Sequence, residues 1–313
     1  MLVDVRTIWD KARHNAFTDL VRFKDRWFCV FREGEGHVSL DGSIRVISSS
    51  DGVEWTSTAL ITSPDPKLPD MRDAKLSVTP DGRLMLVTAA SFRWYVDEVR
   101  QHHYRTYATF SDDGSRWDDL VQIGDEHFWL WRVTWHKGTA YSNGYTLTGP
   151  RVLRLYTSQD GRDFKPLVAK HTVKGYIGED TILFTADGTA HCLLRSREPA
   201  WLGTAGPPYT DWTWKRLNAQ IGGPHMIQLP DGRFVAGGRK YHDTKPATYT
   251  TVLWWVDVEQ GKLEELLTLP SSGDSSYPGF VFHEGLLWVS YYSSHERGKS
   301  CIHLAKVKLP PKG

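Results

Sequence analysis

The chain is poor in sulfur. Three cysteines and four methionines occur in 313 residues. Cys29, Cys192 and Cys301 are an odd set, each inside an apolar run, so they read as buried thiols rather than a disulfide framework or a metal knuckle. An excess of one charge is missing too. Thirty-eight basic residues face 37 acidic ones, a formal net charge of +1, and no basic surface calls for nucleic acid or an anionic membrane. No apolar stretch approaches the length of a membrane span. There is no long amphipathic helical pattern, no low-complexity segment and no interdomain linker, so one domain over residues 1–313 is expected. The histidines show no metal-binding spacing on a helix, and neither metal nor cofactor is expected. Met1-Leu2-Val3-Asp4-Val5 lacks the basic and apolar regions of a signal peptide, which gives an expectation of a cytoplasmic location.

Aromatic residues are abundant, with 14 tryptophans, 13 tyrosines and 12 phenylalanines. Most tryptophans fall in strand-like runs or hairpin ends, where core packing is the ordinary role. A few lining a cleft would suit a sugar, whose faces are apolar and whose edges are polar. Alternating strands joined by tight turns dominate the pattern. The turns Asp25-Arg26, Asp81-Gly82, Lys137-Gly138, Asp187-Gly188, Asp231-Gly232 and Glu284-Gly285 recur at intervals of 44 to 56 residues. Six units of that length match four-stranded propeller blades. The sixth unit holds only three strands before the chain ends, and Leu2–Ile8 is positioned to supply the fourth and close the ring.

A motif marks the outer turn of the first three units. It reads Ser49-Ser50-Asp51-Gly52-Val53-Glu54-Trp55, then Ser111-Asp112-Asp113-Gly114-Ser115-Arg116-Trp117, then Ser158-Gln159-Asp160-Gly161-Arg162-Asp163-Phe164. In such a turn the Asp can accept backbone N–H bonds, the Gly supplies positive φ, and the aromatic packs back over the hairpin. The motif resembles the Asp-box of the sialidase-like β-propellers. The expected fold is all-β, a six-bladed β-propeller of sialidase-like type.

The repeat predicts which residues meet at one face of the central channel. Six to eight positions before the inner turns lie Asp19, Asp73 (after Arg72), Glu179, His225 and Tyr277, with Arg132 somewhat closer to its turn. At the same distance after the turns lie Arg32, Ala89, Tyr145, Arg195, Arg239 and Tyr292. Unpaired buried charges cost several kcal/mol each, so a core role alone does not account for this set. Ion pairs stapling the blades together, or a binding or catalytic pocket, would.

Some of these residues carry a further resemblance. Glu179-Asp180-Thr181-Ile182, the Asp187-Gly188 turn and Leu194-Arg195 resemble the sialidase segment in which a Glu opens a blade and an Arg closes the next strand. Ser276-Tyr277-Pro278-Gly279 resembles the last-blade segment bearing the sialidase nucleophilic tyrosine, and Arg239 is placed like another arginine of the carboxylate clamp. The resemblance implies a glycosidase acting on a terminal acidic sugar, with Tyr277 as nucleophile and Glu179 as its base. A phenol is a weak nucleophile until a neighbouring carboxylate takes its proton, and arginines hold a carboxylate through bidentate bonds.

Two departures stand out. Asn15-Ala16-Phe17-Thr18-Asp19-Leu20 lacks the arginine that opens blade one in sialidases, so either Arg32 or Arg72 substitutes or the three-arginine clamp is incomplete. The general acid is open between Asp73 and Glu35. Asp19, Arg72, Arg132, His225 and Tyr292 complete the expected substrate-binding set. Two other functions remain compatible: a uronate lyase using His225, Tyr277 and Arg239, and a non-catalytic propeller binding carbohydrate or protein.

Overall fold

The computed structural model describes residues 1–96 and 99–312. It is a ring of six antiparallel sheets, a β-propeller, with no helix among the described residues. Blade one comprises His14–Phe23, Arg26–Gly34, Ser43–Ser49 and Thr56–Ile61. Blade two comprises Asp70–Val78, Leu84–Val96, Val99–Ser111 and Val121–Ile123. In blade three the inner strand is broken into Trp129–Leu130 and Thr134–His136, both paired with Thr139–Tyr145, followed by Leu153–Ser158 and Lys165–Val168. Blade four holds Asp180–Phe184, Ala190–Leu194, Trp201–Ala205 and Thr213–Arg216; blade five holds Gly222–Gln228, Phe234–His242, Thr248–Asp257 and Lys262–Leu269. Blade six is Ser276–His283, Leu286–Ser293 and Cys301–Val307, and its outer strand is Leu2–Trp9, antiparallel with Val5 opposite Ala305. The N-terminal strand therefore closes the ring, as expected.

The inner turns fall within a residue of where the sequence puts them. Lys24-Asp25, Lys137-Gly138 and Glu284-Gly285 have two consecutive positive φ angles, the two-residue hairpin form that matches strand twist. In the other three, a single glycine at positive φ (Gly82, Gly188, Gly232) closes a slightly longer loop. The three outer Ser-Asp-Gly turns share one bonding pattern. In the second, Asp113 Oδ1 accepts from the N–H groups of Ser115 (2.8 Å) and Arg116 (2.9 Å), and Ser111 Oγ accepts from Gly114 N–H at 2.8 Å. Asp257 repeats the carboxylate half of this device in blade five, accepting from Glu259 and Gln260. All three cysteines are free and buried.

One irregularity recurs and positions the site. In blades one, two, five and six the inner strand carries a bulge near the same face of the ring, where two residues oppose one. The first bulged residue has positive φ each time: Phe17 (62°), Asp73 (56°), Gly223 (55°) and Tyr277 (52°). Two residues further on come Asp19, Lys75, His225 and Gly279, a layer deeper in the channel. In that layer Arg132 clasps Asp19 with two bonds of 2.8 and 3.0 Å, and Asp19 also accepts from Leu76 N–H at 2.8 Å. Lys75 Nζ donates to the Thr18 carbonyl at 3.1 Å and lies 4.9 Å from the Trp131 ring.

Candidate active site

Three of the four bulges tilt their first residues, Phe17, Asp73 and Tyr277, into a cavity of about 240 Å³ at the end of the channel, and the fourth, Gly223, packs against the Tyr277 ring. Tyr277 and Glu179 meet there. The phenol donates to Glu179 Oε1 at 2.9 Å and accepts from Arg195 Nη1 at 3.0 Å. Arg195 Nη1 also donates to Glu179 Oε1 at 2.6 Å, and its Nη2 donates to the Tyr241 hydroxyl at 2.8 Å. Glu179 is brought in by the backbone: it precedes the inner strand of blade four, and its carbonyl accepts from Arg195 N–H across the sheet. The second carboxylate oxygen, Oε2, is buried without a protein partner. Burial works to raise the pKa of Glu179, but Arg195 and the hydrogen bonds from the residue's own backbone and Tyr277 together outweigh it and hold the group below its usual range. Burial, then the Glu179 charge, pushes Tyr277 well above the usual phenol value, against the pull of Arg195 and Arg239. The resting state is a neutral phenol hydrogen-bonded to a carboxylate.

A second guanidinium flanks the phenol ring. The Arg239 guanidinium carbon sits 5.5 Å from the Tyr277 ring centre. Its Nε donates to the Ser275 carbonyl and its Nη2 to Asp274 Oδ1, both at 2.9 Å, and Nη2 also donates to Tyr292 Oη at 2.8 Å. The Tyr292 hydroxyl in turn donates to Asp274 Oδ1 at 2.9 Å. The other Asp274 oxygen faces His14 (3.0 Å) and His37 (2.6 Å). His14, His37 and Asp274 offer ligand atoms within 4.8 Å of one another, the arrangement among the described residues that could hold a metal ion. Arg239 on the same carboxylate opposes a further cation at that point.

The remaining wall comes from blades one and two. Phe17, in the blade-one stretch that has no arginine, places its ring 5.1 Å from that of Tyr277. The Arg72 guanidinium lies over this ring, 4.9 Å from its centre. Arg72 Nη1 donates to the His37 carbonyl (2.7 Å) and to Asp70 (3.0 Å), while its Nε is buried with no hydrogen-bond partner and lies 3.9 Å from Asp73. Burial raises the pKa of Asp73 above its ordinary value; Arg72 and Lys75 oppose this, and Glu179 reinforces it. A buried carboxyl held toward its neutral form is suited to donating a proton.

The expected residues thus divide into two groups. Tyr277, Glu179, Asp73, Arg72, Arg195, Arg239 and Tyr145 line one cavity. The others lie elsewhere. Arg32 is completely buried, with its Nε 2.7 Å from Asp70 and its remaining nitrogens on Gly36 and Ser39, so it ties down the 34–42 loop. Asp19 and Arg132 pair with each other beneath the cavity floor. His225 belongs to the same layer, stacks on Phe280 and bonds the Pro278 carbonyl; burial drops its pKa to about 3, and it is a poor base for the lyase reading. Glu35 is exposed beside Arg13 and does not line the cavity. Tyr292 is fully buried and acts on the cavity through Arg239 and Asp274. Counting back six to eight residues from each turn mixes the bulge layer with the deeper one.

Several cavity residues escape the repeat. Arg151 and Tyr176 sit on connections between strands, where no blade periodicity applies, and Arg197 follows the second strand of blade four. Arg151 and Arg197 place their guanidinium carbons 4.8 and 4.7 Å from the Tyr176 ring centre. Arg93 enters from blade two. Six arginines therefore line the cavity, with Asp73 and Glu179 its carboxylates. Asp274 carries no signal in the sequence either, because it lies in the loop that enters blade six, outside any counted position.

No protein-family model matches the chain, and no curated protein matches it. Solved structures do share its fold. A protein of unknown function from Dyadobacter fermentans superposes with a TM-score of 0.82 at 17% identity, over 99% of each chain. An α-L-arabinofuranosidase from Fusarium graminearum, in complex with an iminosugar inhibitor, gives 0.74 at 12% identity over 98% of each chain. The NanB sialidase from Streptococcus pneumoniae gives 0.69 at 12% identity, over 99% of this chain and 70% of its own. The chain has the six-bladed propeller fold found among glycosidases, a sialidase included.

Proposed function

We propose that the protein is a glycoside hydrolase that cleaves a terminal acidic sugar, with Tyr277 as nucleophile. The observation that carries this reading is the 2.9 Å bond from the Tyr277 hydroxyl to Glu179, flanked by the guanidinium groups of Arg195 and Arg239. A neutral phenol approaches an anomeric centre next to a carboxylate without the repulsion that a carboxylate nucleophile would meet, and tyrosine-nucleophile sialidases depart from the two-carboxylate scheme. Arg72, Arg195 and Arg239 bind the substrate carboxylate. Its negative charge offsets their hold on Glu179, so Glu179 becomes a stronger base when substrate arrives. Glu179 then takes the phenolic proton as the Tyr277 oxygen bonds the anomeric carbon, and Asp73 gives its proton to the departing oxygen. Water enters next, Asp73 takes its proton, and the glycosyl–tyrosine bond breaks with return of the proton from Glu179 to the phenolate.

The excess of arginine over carboxylate in the cavity favours an anionic sugar over a neutral arabinoside. The test is release of 4-nitrophenol from an aryl sialoside, an aryl uronide and an aryl α-L-arabinofuranoside. Turnover of an acidic glycoside is expected. Tyr277→Phe should lower kcat by about 10³-fold or more, and Glu179→Gln by about 10²–10⁴-fold. Turnover of the arabinoside alone, or an unsaturated product absorbing in the ultraviolet, would overturn the reading.

A further inference from the structure

The second and third strands of blade two, Leu84–Val96 and Val99–Ser111, have 13 residues each. The second strands of the other blades have nine or fewer. The extra length carries this hairpin past the body of the blade as a wall beside the cavity. Side chains alternate across a strand, so the wall has two faces. Arg93 faces the catalytic cavity, while Phe92 and Trp94 face away from it into a separate concavity of about 490 Å³.

The floor of this concavity is an aromatic shelf. Phe92 and Trp94 are stacked with ring centres 5.3 Å apart, and His103, opposite Phe92 on the partner strand, stacks with Trp94 at 4.8 Å. The edge is polar. Arg105 bridges Asp65 and Glu126, 3.0 Å from each. With Lys67 added, one lysine and one arginine face two carboxylates beside His103 and His127, so the edge has no fixed charge excess, in contrast to the arginine-rich cavity on the other side of the wall. Partly exposed stacked rings under a balanced polar edge suit a pyranose, whose C–H face packs on aromatics and whose hydroxyls need both donors and acceptors. A ligand carrying net charge would find no compensating excess here.

We propose that this concavity is a second, non-catalytic carbohydrate site that holds an uncharged pyranose residue of a glycan chain on the Phe92–Trp94–His103 shelf. Its ligand class rests on the glycosidase reading of the adjacent cavity, but its occupancy does not depend on turnover. It would anchor a longer glycan while the cavity beyond the wall engages a terminal residue.

The experiment is binding of uncharged oligosaccharides of two to six residues to the Tyr277→Phe protein, by glycan array and by saturation-transfer NMR. Binding is expected, and Trp94→Ala and His103→Ala should each weaken it about ten-fold or more. Neither variant should change turnover of a small aryl glycoside by the wild-type site, whereas kcat/KM on a polymeric glycan should fall. If no uncharged oligosaccharide binds, if only acidic glycans bind, or if both variants bind as tightly as the parent, the proposal is overturned. Binding to the shelf with no turnover of any glycoside would remove the hydrolase reading and leave this site standing.

Discussion

Tyr277 and Asp73 occupy the left-handed region at φ of 52° and 56°. A bulky side chain there costs about 1–3 kcal/mol and persists only when its surroundings impose it. Both sit at bulges, and the bulge is what turns them toward the cavity. The residue types were legible in the sequence because the proposed chemistry needs them: a phenol, a carboxylate and arginines at strand ends. Arg239 and Arg195 followed from counting along regular strands. Arg32 did not behave like them, because a loop folded over it and Asp70 took its charge. On the proposed mechanism Asp73 acts while protonated, so activity should fall as pH rises through its elevated pKa. Asp73→Asn should remove this alkaline limb. It should also cost about 10²–10⁴-fold in kcat/KM with an alkyl leaving group, and far less in kcat/KM with 4-nitrophenol, which departs without a proton, although the loss of the base for water still lowers kcat. Equal losses on both leaving groups, with the limb intact, would remove Asp73 as the acid.

Among the elements, the turns were the most readable part of the chain. An Asp-Gly pair dictates its own backbone and marks three of the inner turns, and the regular spacing of short polar turns between apolar runs marks the other three, so six blades could be counted. The bulges were not readable, since an extra residue in an inner strand leaves no mark on apolar alternation over so few positions. The outer glycines also do more than turn the chain. A Cβ at Gly114 would lie 2.1 Å from the Phe28 ring of the preceding blade, and one at Gly52 would lie 2.5 Å from Trp288 of blade six. Gly82 has a similar φ of 79° but open space around it. Gly82→Ala should therefore cost only the backbone penalty, about 1–2 kcal/mol. Gly114→Ala adds a clash between blades and should cost at least about 2 kcal/mol more. Urea midpoints of the two variants measure the difference, and equal midpoints would show that the outer turn does not lock neighbouring blades.

For the whole molecule, ring closure was legible because the last unit ran one strand short and the first strand had no partner nearby. The electrostatics of the interior was not, since it depends on which layer each charge enters. Three buried histidines make it sensitive to acid. Burial lowers His225 to about 3, and His171 and His303 to about 4 each. An unfolded histidine binds its proton near pH 6.5. Between pH 6.5 and 4 the unfolded chain holds these protons and the folded one does not, so stability falls as pH drops. Asp180 works the other way. Burial raises its carboxyl to about 7, so the folded state binds its proton between about pH 4 and 7, and this group alone would favour acid. Burial also lowers His136 and His191 and raises Asp73, so five histidines stand against two carboxyls and leave a net loss, at about 1.4 kcal/mol per pKa unit for each buried group. The thermal midpoint should be lower at pH 4.5 than at pH 7. Asp180→Asn removes one opposing group, so the decline should steepen in that variant. A midpoint that stays level or rises toward pH 4.5 would mean that these histidines reach solvent or find partners in the folded protein.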